Sequence, residues 1–282
     1  MKKIERVGLV IKPHAPNIED ILRELCHYFK KRDIDCIFEE AAAQKLGRKG
    51  GIPRDKISDK VDLIVVLGGD GTLLSIAYLA AQKDVPVLGV NLGRLGFLTE
   101  VPVNEMNLTL DAFLRGNEEI VSPRRLLEAK IKGKVFYCLN DVVINKGALA
   151  RMIQIVIWID EKEIANLKAD GLIVSTPTGS TAYSLSAGGP IIQPYIPAMI
   201  LAPICPHTLT FRPMVISSDS QVKVQLLTSG EEVYYTLDGQ RGALLAKNDV
   251  LEVKISRFEL RLISSPKRNY FDLIKEKLGW GE

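Results

Sequence analysis

No stretch of this 282-residue chain approaches the roughly twenty consecutive apolar residues that carry a helix across a bilayer, so a membrane-spanning helix is not expected. Cysteine is sparse. Cys26, Cys36, Cys138 and Cys205 are scattered, with no Cys-x-x-Cys pairing, which argues against a zinc site or a disulfide framework and for reduced thiols in the core. His14, His27 and His207 lack metal-ligand spacing and read as packing or surface residues. An excess of one charge is lacking too, since 37 Lys and Arg against 34 Asp and Glu leave a net charge of +3. Without a dense basic stripe interleaved with aromatics, that balance does not point to nucleic acid; it suits a small polyanion. There is no internal repeat and no low-complexity tract. Met1 to Arg6 leads straight into strand-like Val7 to Ile11, too short an apolar run for a signal peptide, so a soluble cytoplasmic protein is expected. What is present is an ordinary globular composition, long enough for two domains.

The most informative segment runs from Asp62 to Thr72, Asp-Leu-Ile-Val-Val-Leu-Gly-Gly-Asp-Gly-Thr. Leu63 to Leu67 reads as a strand buried on both faces of a parallel sheet. Gly68, Gly69 and Gly71 follow as a tight turn, with Thr72 as the expected cap of a helix whose apolar positions include Leu73, Leu74, Ile76, Ala77, Leu79 and Ala80. Such a strand, glycine turn and helix N-terminus gather backbone N–H groups and the positive end of a helix dipole, which suits phosphate. Asp70 does not suit phosphate. A carboxylate there is explained if it binds the counter-cation or takes the proton of a group attacking phosphorus, and otherwise it is only a turn residue.

The first hundred residues alternate strand and helix patterns: strands at Val7 to Ile11, Asp35 to Phe38, Asp62 to Leu67 and Pro86 to Val90, and an amphipathic helix at Ile18 to Phe29. This pattern means parallel βαβ units. Residues 43 to 60 read as an irregular polar loop, either a plain surface loop or one whose Arg48 and Lys49 swing over phosphates. A short helix is expected over Asn107 to Leu114. From Leu126 on, short alternating runs (127 to 131, 135 to 143, 153 to 159) are separated by turn signals at Lys132-Gly133, Asp160-Glu161 and Asp238-Gly239, as in antiparallel sheets. Pro266 to Leu278 returns to helical spacing, with Ser265 as its expected cap. The expected fold is α/β plus all-β: an N-terminal Rossmann-like parallel α/β domain over 1–118, rejoined by a C-terminal helix in 265–282, and a C-terminal antiparallel β domain over 119–264. A cleft between them is the expected place for a site.

In the second half, Lys168 to Pro190 holds a buried-strand run and then seven Ser and Thr residues among glycines, with Tyr183 offering a flat face for a base. A helix cap and tight turn that merely need small residues would look the same. Asn140-Asp141, at the end of a strand, reads either as a strand-end feature or as a pair able to grip vicinal hydroxyls.

Gly-Gly-Asp-Gly-Thr, Asn140-Asp141 and the Thr176 to Tyr183 run, in this order and spacing, resemble the bacterial and archaeal NAD kinase family over most of the chain. Asn91 to Leu98, Pro206 to Leu209, Arg212-Pro213 and Asp238-Gly239-Gln240 add to the match. Diacylglycerol, sphingosine and phosphofructokinases share the first motif, so the second-half motifs carry the distinction. The resemblance implies an enzyme that moves a phosphoryl group from ATP or polyphosphate to the 2′-hydroxyl of the adenosine ribose of NAD, with a divalent cation, magnesium, on the donor. It implies Asp70 as general base, with Gly71 beside it and Gly68, Gly69, Gly71 and Thr72 as the donor loop. Asn140 and Asp141 would hold ribose hydroxyls, although many relatives carry Glu at the latter position. Asp170, with Lys168 and Arg151, would contact the other part of the dinucleotide. Thr181, Ala182, Tyr183, Ser184, Leu185 and Ser186 would wrap adenine and ribose, and Gln240 would complete the pocket. No metal ligand is assigned beyond Asp70, acting through the donor phosphates. The resemblance further implies a homodimer or homotetramer. Read from residues alone, Arg151 and Lys168 fit solvated strand positions equally well, and Gln240 a hairpin. The rival functions are a lipid or sugar kinase sharing the loop, and a non-catalytic NAD(P)-binding sensor.

Overall fold

Unbroken leucine and β-branched runs form the centre of a parallel sheet. In the computed structural model, which describes residues 3–280, β1 (Arg6–Ile11), β2 (Asp35–Phe38), β3 (Leu63–Gly68) and β4 (Val87–Asn91) run parallel in the order β4-β3-β1-β2. The end of the long strand Val250–Ile263 adds to β4 through Leu262 and Ile263. All six residues of β3 are buried, as a strand covered on both faces must be. The helices of this part are α1 (Ile18–Lys30), α2 (Glu40–Lys45), α3 (Arg54–Ile57), α4 (Asp70–Gln82) and α5 (Val103–Leu114). Leu22, Leu25 and Phe29 of α1 and Met106, Leu110 and Phe113 of α5 share one core with Leu63, Val65 and Leu67. Leu73 of α4 lies against Gly89 of β4, on the sheet's other face, where a Cβ would crowd its side chain.

The chain divides into two units, one formed by residues up to Pro123 together with those from Glu259 onward, the other by Arg124–Phe258. It passes from one to the other within the long strands Val121–Ile131 and Val250–Ile263. The second unit is antiparallel β. Its six-stranded sheet runs in the order Met214–Ser217, Ala198–Ile204, Gly171–Ser175, Asp141–Lys146, Val233–Leu237, Arg241–Leu245. A second antiparallel set pairs Lys162–Ala169 with Ile153–Ile159, and the latter with Val222–Leu226. Ile155, Ile157, Val174, Leu201 and Val224 belong to the single core that the two sets enclose. The turn residues at Lys132-Gly133, Asp160-Glu161 and Asp238-Gly239 all take positive φ; the first two pairs are two-residue hairpin turns, and the third opens a three-residue loop closed by Gln240. The expected architecture, parallel α/β then antiparallel β with a terminal helix, is the one observed.

Several local expectations differ from the structure. Helix α4 begins at Asp70, not after Thr72, because extended Gly69 is its N-cap and the Thr72 N–H already bonds the Gly69 carbonyl at 2.9 Å. Helix α5 starts at Val103, four residues earlier than expected, behind Pro102, whose fixed φ suits a helix entry. Residues 43–60 are not all irregular: α2 and α3 flank a short loop, with Ala42, Ala43 and Ile57 buried. Arg48 is exposed and stacks on the Phe38 ring, 4.8 Å from its centroid. The run 135–143 is broken at Leu139-Asn140. The C-terminal helix is Tyr270–Leu278, capped by Asn269 in a reciprocal capping box with Asp272; the Ser265 hydroxyl instead donates to Glu105 at 2.8 Å.

Candidate functional site

In the first unit, the glycine turn leaves the helix entry open. Cβ atoms added at Gly69 or Gly71 would meet nothing within 4 Å, and neither glycine has positive φ. The fold itself therefore does not need glycine there; what the missing side chains provide is access to the first N–H groups of α4. Gly68 is different, since a Cβ would press on the Thr72 side chain.

Asp70 does not cap its own helix. Its carboxylate reaches the loop after β4, where Oδ2 accepts from Phe97 N at 2.9 Å and Oδ1 accepts from Leu98 N at 3.1 Å, Thr99 N at 2.9 Å and Thr99 Oγ1 at 2.9 Å. The loop is bound on its other side as well, with Asn91 Nδ2 donating to the Arg94 carbonyl at 2.6 Å and to Thr99 Oγ1 at 3.1 Å. Gly96 is obligatory here, because a Cβ would overlap Asp70 Oδ1. A carboxylate offers about four acceptor sites, two per oxygen. Oδ1 is saturated, and Oδ2 keeps one lone pair on a half-buried residue.

Behind the turn, Glu39 and Arg54 fasten the strand ends. Arg54 Nε and Nη2 donate to Glu39 Oε2 and Oε1 at 2.7 and 3.0 Å, Nη1 donates to Ser75 Oγ at 2.8 Å, and Nη2 also donates to the Ile11 carbonyl at 3.0 Å. Glu39 Oε1 accepts from Ile11 N at 2.5 Å. Nothing in the sequence marks this network. Glu39 and Arg54 lie outside any motif; the parallel register of β1 and β2 brings Glu39 to Ile11, and the bridge between Glu39 and Ile52 brings Arg54 beside it.

In the second unit, Asp238 does more than turn a hairpin. With positive φ it points its carboxylate at the break in the strand, where Leu139 N, Asn140 N and Asp141 N donate to it at 2.9, 2.7 and 3.2 Å. Burial raises its pKa while those three N–H groups lower it, and the balance is upward. The carboxyl of Asp141 is buried and accepts no hydrogen bond among the described residues. Burial first, and the Asp238 charge second, push its pKa up to about 7. The hydroxyl-rich run is locked onto the same break, with Thr176 Oγ1 donating to the Leu139 carbonyl at 2.6 Å and accepting from Gly179 N at 3.0 Å. A Cβ at Gly179 would strike the Asn140 carbonyl. The motifs around 140, 176 to 180 and 238 are thus one cluster.

Thr181 to Ser186 continue from it in two short helical turns. Thr181 Oγ1 donates to the Thr178 carbonyl at 3.3 Å, Ala182 lies between the turns, Leu185 is half-buried, and the buried Ser184 hydroxyl has no partner. Tyr183 is 41% exposed and, with Ser186, Phe211, Arg212 and Pro213, lines a cavity of about 360 Å³. The other expected residues are more dispersed. Arg151 and Lys168 are exposed, Gln240 follows the Asp238-Gly239 turn on the surface, and the cation within reach of Asp170 is Lys146, at 3.9 Å.

Residues 7–118 match the ATP-NAD kinase N-terminal domain and residues 139–265 the ATP-NAD kinase C-terminal domain. The chain belongs to the NAD kinase family. Family members named NAD kinase from Geotalea daltonii and Geobacter metallireducens are each 43% identical, over 99% of this chain and the whole of theirs. Among solved structures, a yeast NADH kinase complexed with NADH superposes with a TM-score of 0.90 at 27% identity, covering 100% of this chain and 89% of that one. An NAD kinase from Archaeoglobus fulgidus in complex with ATP shares the fold at a TM-score of 0.78 and 24% identity, covering 98% and 100% of the two chains.

Proposed function

We propose that this chain transfers the terminal phosphoryl group of ATP to the 2′-hydroxyl of the adenosine ribose of NAD, giving NADP. The observation that carries the reading is the open glycine turn with an oriented carboxylate inside it. N–H groups at the start of α4 receive the phosphoryl oxygens, and Asp70 Oδ2, with its spare lone pair, accepts the hydroxyl proton as the new O–P bond forms and the bond to the departing ADP breaks. The four donors on Asp70 fix its orientation, so it acts from one position.

Among the described residues no three His, Cys, Asp or Glu side chains gather into a metal cage. The half-buried Asp70 carboxylate beside the open glycine turn fits magnesium, which keeps most of its waters and binds through substrate phosphates and one or two carboxylates. Asp70 is the carboxylate that would reach it, and the ion would supply charge neutralisation on the donor.

Asn140 and Asp141 hold the ribose diol, whose hydroxyls provide the donors that the Asp141 carboxyl lacks. The cavity beside Tyr183 takes a base, and Asp170, Lys168, Arg151 and Gln240 serve the remainder of the dinucleotide. The assembly is a homodimer or homotetramer, working in the cytoplasm; no described helix is long and apolar enough to cross a membrane.

The test incubates the purified chain with NAD, magnesium, and either ATP or inorganic polyphosphate, reading NADP by enzymatic cycling. NADP formation is expected with ATP. Phosphate incorporated into diacylglycerol, a sphingoid base or a sugar phosphate instead would point to the lipid or sugar kinase reading, and nucleotide binding with no NADP to the sensor.

A further inference from the structure

Two of the four cysteines, ten positions apart in sequence, meet at the outer edge of the parallel sheet. Cys26 lies on α1 and Cys36 on β2, the last strand of that sheet, and their thiols are close enough for each to shift the other's titration. Both are half-buried, and both line one cavity of about 460 Å³ together with Lys30, Asp33, Asp35 and Arg48. The remaining two differ in setting: Cys138 is sealed in the second unit's core and Cys205 is exposed.

We propose that Cys26 and Cys36 form a reactive thiol pair that low-molecular-weight disulfides convert into an intramolecular disulfide. Cys26 is the attacking group and Cys36 the resolving one. The neighbouring Cys36 thiol first, and the Arg48 and Arg23 charges after it, favour a Cys26 thiolate against the burial that opposes it, bringing its pKa down to about 7. The Cys36 thiol is pushed up, chiefly by the adjacent Cys26 and then by burial. Lys30 and Arg48 face Asp33 and Asp35 at this cavity, two cations against two acids, and Arg23 lies outside it, ion-paired to Glu19 at 2.6 Å.

The steps balance. Cys26 thiolate attacks one sulfur of the external disulfide, forming a mixed disulfide and releasing one small thiolate. Cys36 then loses its proton, attacks the Cys26 sulfur and expels the second small thiolate. Two protein thiols are oxidised by two electrons, and one external disulfide is reduced to two thiols.

The experiment treats the full chain, carrying Cys205→Ser to remove the exposed thiol, with oxidised glutathione, and follows intact mass and peptide maps. The expected product is lighter by two hydrogens, carries no adduct, and yields a linked peptide spanning Cys26 and Cys36. With Cys36→Ser the reaction should stop at a glutathione adduct on Cys26. With Cys26→Ser the initial rate should fall by about tenfold or more. The rate of the parent should rise with pH through about 7. Circular dichroism of each variant checks that it is folded, and a variant that is not is replaced by the Ala substitution. A folded parent chain that retains a stable adduct at Cys26, or in which Cys36 reacts first, overturns the proposal.

Discussion

A carboxylate accepting four hydrogen bonds is usually a structural anchor, and Asp70 has that number. What separates anchor from base is the unevenness of the load, three bonds on Oδ1 and one on Oδ2. Asp70→Asn retains an oxygen for Leu98 and Thr99 but turns an amide N–H₂ toward Phe97 N and removes the proton acceptor. Turnover should fall by roughly a hundredfold or more with NAD affinity held within a few-fold, measured by steady-state kinetics and calorimetric titration. Unchanged turnover would reduce Asp70 to a clamp. Asp141 supplies a different test. Its carboxyl, raised from 3.8 to about 7, keeps a proton in the folded chain that the unfolded chain releases. Unfolding therefore releases a proton between those two values, so this group's effect on stability worsens as pH climbs from about 4 to 7 and stays unfavourable above it. Asp141→Asn removes that penalty. Its melting temperature should exceed that of the parent by on the order of 5 °C at pH 8, with the gain vanishing near pH 4, as calorimetric scans at the two pH values will show.

At the scale of elements, the glycines of the two motifs that meet at Asp70 do opposite work. Gly71, in the first turn of α4 and facing open space, can take a methyl group without contact, so Gly71→Ala should keep or raise stability by about 0.5 kcal/mol while obstructing the phosphate approach and lowering kcat/KM. Gly96 cannot take one. Gly96→Ala must break the Asp70 anchor and should lower stability by roughly 2 to 3 kcal/mol in denaturant titration. Equal losses of stability in both variants would contradict the open turn. Composition alone treats these glycines as equivalent. Periodicity located β1, β3 and α1 to within a residue or so because their apolar spacing is strong, but it misjudged the ends, where capping decides. Asn269 outcompetes Ser265 as a cap because Asp272 completes its capping box, whereas Ser265 is drawn to Glu105, 160 residues away.

For the whole molecule, the six-stranded sheet leaves two free edges, Met214–Ser217 and Arg241–Leu245. Val215 is 49% and Leu244 52% exposed on them, an arrangement that natural sheets cover with a partner or blunt with charge. Light scattering should give a mass at least twice that of the 31.2 kDa chain, and Val215→Lys with Leu244→Lys should lower it. A monomer in the parent would remove the oligomer from the account.

Local chemistry determined by itself the strand and helix pattern, the three hairpin turns and the glycine turn before α4, since each depends on neighbours a few residues apart. It also carried the order of motifs on which the family likeness rests. Only the tertiary structure decided which groups those motifs meet: Phe97 to Thr99 on Asp70, Asp238 under Asn140 and Asp141, Arg54 on Glu39, and Cys36 beside Cys26. Those partners are ten to about a hundred residues apart, brought together by sheet register and side-chain packing. A hydrogen bond depends on where the backbone has carried its donor, and that position is a sum over the whole intervening chain.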